Sequence, residues 1–480
     1  MTTKPIPQPR EMPWVGQAMK LAQDPLHLLL DLALTYGPIV RFTLFGKPVI
    51  LLSDPTYIRE VLVTKADLFL KAPRDLAIMG PLLGYGLLTT NGNQHRIYRK
   101  LAQPAFHHKR IANYADTMVM MADATLSAWR DGETRDISAE MLRTTMYIVA
   151  KTLFNTDRDQ MTGAAQEIGA AIHQIQEIVD YDFTWYDLLP QWLPTRLNRR
   201  RQPARRQLDQ LIEGMIADRR AQAGDGVVTD QGDLLSMLLL AEDEEGRRLS
   251  DAEVRDEAIN LFVAGHETTS NALTWTWYLL AQHPAVAAKL HAELDTVLAG
   301  RTPTLADLGT LPYTQQVIQE AMRLYPPAWA LNSRQATTNV ELDGYLIPAG
   351  TPIFISPYVM HRLPQYFAEP AQFRPERFAP EWETQLPRYV YMPFGGGPRV
   401  CIGNAFAMME AQLVLATVAQ HYALDLAPNA RVVPQPLITL TTKYGLPMQL
   451  HERQQQTEES TPASLSIAAP AAQQRELVLA

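Results

Sequence analysis

Apolar positions recur along this chain in two rhythms. From Ile39 to Leu52, IVRFTLFGKPVILL, β-branched and aromatic residues flank a Gly-Lys-Pro turn, which predicts a β-hairpin. From Leu208 to Gln319 the spacing is three and four residues, with proline and glycine mainly at segment ends, which predicts helices. The clearest helix starts at Ser250-Asp251-Ala252-Glu253, where serine can cap the backbone and glutamate three residues later can return the bond. It should run to about His283, ahead of Pro284, a length of about 50 Å at ~1.5 Å per residue. Between Ala258 and Leu280 its only formal charge is Glu267, so it must lie in the core. Further helices are expected over Leu311–Leu324, ending before Pro326 and Pro327, and over Ala405–His421. The fold class that follows is mainly α with small β-sheets.

With 480 residues, 46% of them hydrophobic, the chain exceeds the usual single-domain length. No Gly/Ser/Pro-rich linker divides it between residues 20 and 450, however, so one domain is expected over 1–452. Residues 453–480, rich in Gln, Ala, Ser and Thr without apolar periodicity, read as a disordered tail. Forty-three basic against 51 acidic side chains give a net charge of -8, which argues against nucleic-acid binding. No secretory leader is legible, and the apolar run Leu26–Leu34 is interrupted by His27 and Asp31, short of a membrane span. A cytoplasmic, monomeric enzyme of bacterial type is the expectation.

Cys401 is the only cysteine, which excludes an internal disulfide framework and leaves too few partners for a zinc site. It suits a thiolate held on one metal. It sits in Phe394–Gly403, F-G-G-G-P-R-V-C-I-G, which resembles the haem-binding loop of the cytochrome P450 family, with Phe394, Gly397, Arg399, Cys401 and Gly403 at the defining positions. The resemblance implies that Cys401 is the axial thiolate of haem b, an electron-rich ligand that favours O–O cleavage. It implies that Gly403 lets backbone N–H groups approach the sulfur and that Arg399 pairs with a haem propionate.

Other segments carry the same resemblance across about residues 10–450. Ala264-Gly265-His266-Glu267-Thr268 matches the family's A-G-x-E-T, with Ala264 and Gly265 beside the haem, Thr268 positioning dioxygen and Glu267 helping to bring in protons. A mid-helix glycine costs roughly 1 kcal/mol against alanine, so Gly265 calls for a reason such as close approach of haem to the backbone. Glu320 and Arg323 fit E-x-x-R, and Arg377 in P-E-R-F would complete a buried structural triad. His95 and Arg99, four apart, together with Arg334, are propionate candidates. The pocket implied by family correspondence comprises Leu83, Leu87, Leu88, Ala264, Ala328, Trp329, Ala330, Leu331, Leu437 and Ile438.

Those residues are apolar, so a hydrophobic substrate is expected: a terpene, fatty acid or steroid. A-G-H-E-T-T-S is similar to bacterial fatty-acid hydroxylases, with Lys47 as a carboxylate anchor, but Leu51 stands where a tyrosine often assists. A separate ferredoxin or flavodoxin with its NAD(P)H reductase must supply electrons for O2 activation, docking near Arg399 and His107-His108-Lys109-Arg110. The aromatic and basic segment Phe183, Trp185, Tyr186, Trp192 and Arg196–Arg206 reads as a solvated helix start beside an entry lid. Two other classes compete with monooxygenation: an electron-independent isomerase or peroxygenase, disfavoured by Glu267 and Thr268, and a non-enzymatic haem sensor.

Overall fold

The long helix Asp251–Gln282 opens on a reciprocal cap, Glu253 N–H donating to Ser250 Oγ at 3.3 Å and Ser250 N–H to Glu253 Oε2 at 2.9 Å. Pro284 then begins the next helix, Pro284–Leu298. The computed structural model describes residues 4–155, 164–185, 192–222, 228–242 and 245–453. Tyr186 and the expected tail from 454 onward lie outside the described residues. Arg453 does not belong to that tail: its guanidinium pairs with Asp295 at 2.8 Å and donates to Ala419 O.

As its near-absence of charge requires, the long helix is buried along most of its length, Trp275 and Trp277 included. It packs most extensively along Ile137–Phe154. There Thr145 Oγ1 donates to His266 O at 2.8 Å, and a Cβ added to Gly265 would stand 3.1 Å from Val149. The crossing of these two helices is a reason for Gly265 beside the expected approach of haem.

The hairpin forms with Ile39 opposite Leu52, but its turn is Phe45-Gly46, both left-handed at φ 48° and 77°, so Lys47 already lies in the second strand. That strand runs parallel to Pro352–Ile355, which pairs antiparallel with Arg334–Ala336, itself antiparallel to Phe69–Lys71. The last pairing sets Lys71 directly opposite Arg334. A smaller sheet joins Thr134–Asp136, Pro447–Glu452 and Tyr422–Leu426, and the hairpin of Pro434–Pro436 and Leu440–Thr442 carries Thr439 towards the long helix.

The helix Pro312–Leu324 presents Glu320 and Arg323, both wholly buried. Arg323 grips Glu320 at 2.7 and 2.8 Å and donates to the carbonyls of His361, Pro370 and Gln372. Arg377 joins Glu320 at 3.3 Å, and Arg374 N–H donates to the same carboxylate at 2.9 Å. His361 Nε2 in turn accepts Met392 N–H at 2.9 Å, next to the cysteine loop. In the basic run, Arg201 pairs with Asp182, and Arg205 with Asp209 and Asp256, so these arginines serve packing between helices.

Glu320→Ala should cost about 3–5 kcal/mol, since it strands two buried guanidinium groups. Denaturant unfolding of holo-protein would read this; a loss below about 1 kcal/mol would refute the bracing role.

Candidate active site

The cysteine loop is shaped by close backbone contacts. Gly397 has φ 68°, and a Cβ there would meet Leu62 O at 1.9 Å, so only glycine fits. Cys401 N–H donates to Phe394 O at 3.0 Å, closing the loop, and Asn404–His421 starts immediately after Gly403. The sulfur thus sits just ahead of a helix N-terminus, where positive potential favours a thiolate. Burial nevertheless pushes the Cys401 thiol above its ordinary pKa, outweighing the Gly403 N–H and the Arg99 charge. A metal cation on the sulfur would favour its thiolate form against that burial.

Cys401 opens into a cavity of about 300 Å³. Phe394, Val400 and Ile402 flank the sulfur, while Ala264 and Thr268 of the long helix share the cavity wall. Leu87, Leu88, Ala328, Ala330 and Leu331 also line it. The remaining expected pocket residues are placed elsewhere. Leu83 is buried behind the wall, and Leu437 is turned into an interior contact in which its carbonyl accepts the Trp329 indole N–H at 2.8 Å. Trp329 and Ile438 pack in the hydrophobic clusters behind the lining. Gly403 lies beside Phe106, its role confined to its backbone N–H.

Five basic side chains converge on one side of this cavity: Lys71, His95, Arg99, Arg334 and Arg399. Sequence reasoning missed Lys71, because only the strand pairing with Arg334 brings it here. Arg399 points inward, donating to Thr90 O and Asn91 Oδ1 at 2.9 Å, and Arg99 donates to Val400 O at 2.7 Å. Arg334 donates to Asn332 O at 2.7 Å. Burial, reinforced by mutual repulsion, lowers these groups: Arg334, for which burial alone lowers it, and Arg399 to about 10, His95 to about 3, and Lys71 well below its ordinary value. The acid contributing against them is Asp75, itself buried and accepting Ser333 N–H at 2.8 Å. Such an excess of buried positive charge calls for an anionic ligand. A porphyrin carrying two propionates, with its iron on Cys401, fits this donor set.

Over the cavity, Thr268 Oγ1 donates to Ala264 O at 2.9 Å. Glu267 faces away from it, receiving a hydrogen bond from Thr439, which also accepts Asn271 Nδ2–H at 3.0 Å. Burial pushes Glu267 up to about 7, against the pull of Thr439 and Gln176, so its carboxyl exchanges a proton near neutrality. His266 Nδ1–H donates to Phe262 O at 2.7 Å, and burial lowers the imidazole to about 4, which keeps it neutral.

The Cytochrome P450 pattern matches residues 6–447. The chain belongs to the cytochrome P450 family. It is 40% identical over 439 residues to cyclooctatin synthase of Streptomyces melanosporofaciens, covering 90% of this chain and 93% of that protein. It is 37% identical over 430 residues to cyclooctat-9-en-7-ol 5-monooxygenase of the same organism, covering 88% and 90%. It is also 33% identical over 453 residues to pentalenene oxygenase of Streptomyces avermitilis, covering 93% and 97%. P450 proteins bind haem b through a cysteine thiolate, and this one is a monooxygenase of a hydrophobic substrate. No described helix is long and apolar enough to cross a membrane.

Because the folded state holds Glu267 protonated up to about pH 7 while the unfolded chain ionises near pH 4.5, the native state binds the extra proton between those values. Stability from this group is therefore full below about pH 4.5 and falls as pH rises to about 7. Glu267→Gln should remove that fall, gaining on the order of 2–3 kcal/mol over the parent at pH 8 relative to pH 5. Parallel pH profiles of unfolding free energy for the two proteins would refute it.

Proposed function

We propose that this P450 oxygenates a cyclic terpene hydrocarbon or alcohol, with Cys401 as the haem ligand and Lys71, His95, Arg99, Arg334 and Arg399 holding the propionates. The observation that carries the substrate reading is the distribution of charge in the cavity. The five basic side chains are gathered on one side, and the wall formed by Leu87, Leu88, Leu261, Ala264, Ala328 and Leu331 is apolar. Among the polar residues lining the cavity, Asn260 has its amide occupied by Leu83 O, Asp256 O and Leu88 N–H, and Thr268 and Thr269 donate to carbonyls of their own helix. Lys47, on the exposed edge of the hairpin, does not line the cavity, so a fatty-acid carboxylate has no anchor there. Relatives named for a cyclooctatenol and for pentalenene point the same way.

Haem bound at Cys401 supplies the electron transfer to dioxygen and the insertion of one oxygen atom. The protein's share is positional. Apolar walls hold the substrate and exclude water, Thr268 keeps a hydroxyl at the cavity surface, and Glu267 stores a proton one residue away. For Glu267 to pass that proton to Thr268 its carboxyl must leave Thr439, so the Thr439 bond regulates delivery.

Turnover of a panel of terpenes, fatty acids and steroids under isotopically labelled dioxygen, with surrogate redox proteins, tests this reading. One labelled oxygen in a terpene product is expected. Labelled product from fatty acids alone would replace the substrate class, and haem reduction without labelled product from any of them would turn the reading towards isomerase or sensor chemistry.

A ferredoxin or flavodoxin, kept reduced by its NAD(P)H reductase, is the electron donor we propose, in the cytoplasm. Its docking patch includes exposed His107, His108 and Lys109. Arg399 is no part of that surface, since it points into the cavity wall, and Arg110 is paired with Asp230 at 2.8 Å. Lys109→Glu should slow reduction by an acidic ferredoxin several-fold at low salt, with the difference vanishing at high salt. An unchanged rate under both conditions would exclude this patch.

A further inference from the structure

The loop between helices Pro73–Leu83 and Gly92–Ala102 carries Leu87 and Leu88 into the cavity, yet it lacks regular secondary structure to fix it. Three polar side chains within about one turn of the long helix take its backbone instead. Asp256 Oδ2 accepts Tyr85 N–H at 2.8 Å, Glu257 Oε2 accepts Leu87 N–H at 2.7 Å, and Asn260 Oδ1 accepts Leu88 N–H at 2.9 Å. Asn260 Nδ2 also donates to Leu83 O at 2.8 Å. Two glycines make this approach possible. A Cβ on Gly84, at φ 81°, would lie 2.4 Å from the Asp256 carboxylate, and one on Gly86 would lie 2.8 Å from both Glu257 and Asn260.

We infer that Asp256, Glu257 and Asn260 form a polar clasp that sets the position of Leu87 and Leu88, and so decides which carbon of the substrate is presented for oxygenation. These are positioning residues, since they act through the loop. Glu257 and Asn260 are buried, so each bond is protected from competition by water and a missing partner is not replaced. The clasp extends to the lid side as well: Arg205, on the helix Asn198–Gln222, donates to Leu82 O at 3.2 Å and to Asp256 Oδ1 at 3.0 Å. A movement of that helix is thereby passed to the loop and to the two leucines it places.

Holoenzyme of the parent is compared with Asn260→Ala, Glu257→Ala and Glu257→Gln by amide exchange in residues 84–88 and by product distribution at equal haem content. Both alanine variants should exchange about tenfold faster at these amides and yield at least one additional regioisomer, consistent with the loss of one buried hydrogen bond. Glu257→Gln keeps an acceptor for Leu87 N–H and should restore the parent's product distribution. If Glu257→Ala does not fold, Asn260→Asp, which keeps the acceptor and loses the donor to Leu83 O, takes its place. Parent-like exchange, or faster exchange with an unchanged product ratio, overturns the inference and leaves these residues a purely structural part. The exchange readout needs no substrate. Faster exchange with no terpene product would therefore count against the terpene reading, and the product ratio would then be read on whichever substrate is oxidised.

Discussion

The burial of basic side chains around one cavity, far in excess of the acids beside them, is the constraint on which this site rests. Lys71, His95, Arg99, Arg334 and Arg399 face one cavity, with Asp75 as the acid acting against them. No chain would keep such a group together by its own attractions. It is held by geometry: strand pairing fixes Lys71 against Arg334, backbone carbonyls hold Arg99, Arg334 and Arg399, and helix packing buries His95. The scaffold is thus preorganised for a doubly anionic ring, and it carries the cost of that preparation before the ring arrives.

The long helix performs several separable tasks along its length. Its first turns are capped and hold the clasp on the pocket loop, its middle crosses the helix Ile137–Phe154 at Gly265 and presents Thr268 to the cavity, and its last turns bury two tryptophans. Glu267 lies at the junction of the second and third tasks, directed into the interior and tied to Thr439. The charge is confined to its first turns and to Glu267, and the stretch between Ala258 and Leu280 is packed mostly in the interior.

Local chemistry was legible in the sequence wherever a few neighbouring residues determine it. The Ser250/Glu253 cap, the Glu320/Arg323 spacing and the loop around Cys401 each contain their own explanation. What depends on chain segments meeting from afar was not. Lys71 is an unremarked residue until a strand 263 positions later in the sequence lies beside it, at Arg334. The same holds for Thr439 against Glu267, for Glu257 against Leu87, and for Glu410, a fully buried carboxyl whose pKa burial raises well above the usual range. At Gly265, helix periodicity gives a face but not the Val149 side chain packed against it. Trp329 and Leu437 were assigned to the pocket and instead bond to each other.

With propionates seated as proposed, the pairing of Lys71 with Arg334 at the edge of the five-stranded sheet would also make the protein a discriminator among macrocycles. An esterified ring of identical outline would satisfy the apolar walls and the sulfur, yet it would leave the cations confronting one another. Selection among tetrapyrroles in the cell can thus be made by the charge on their rim, before the metal at their centre is tested.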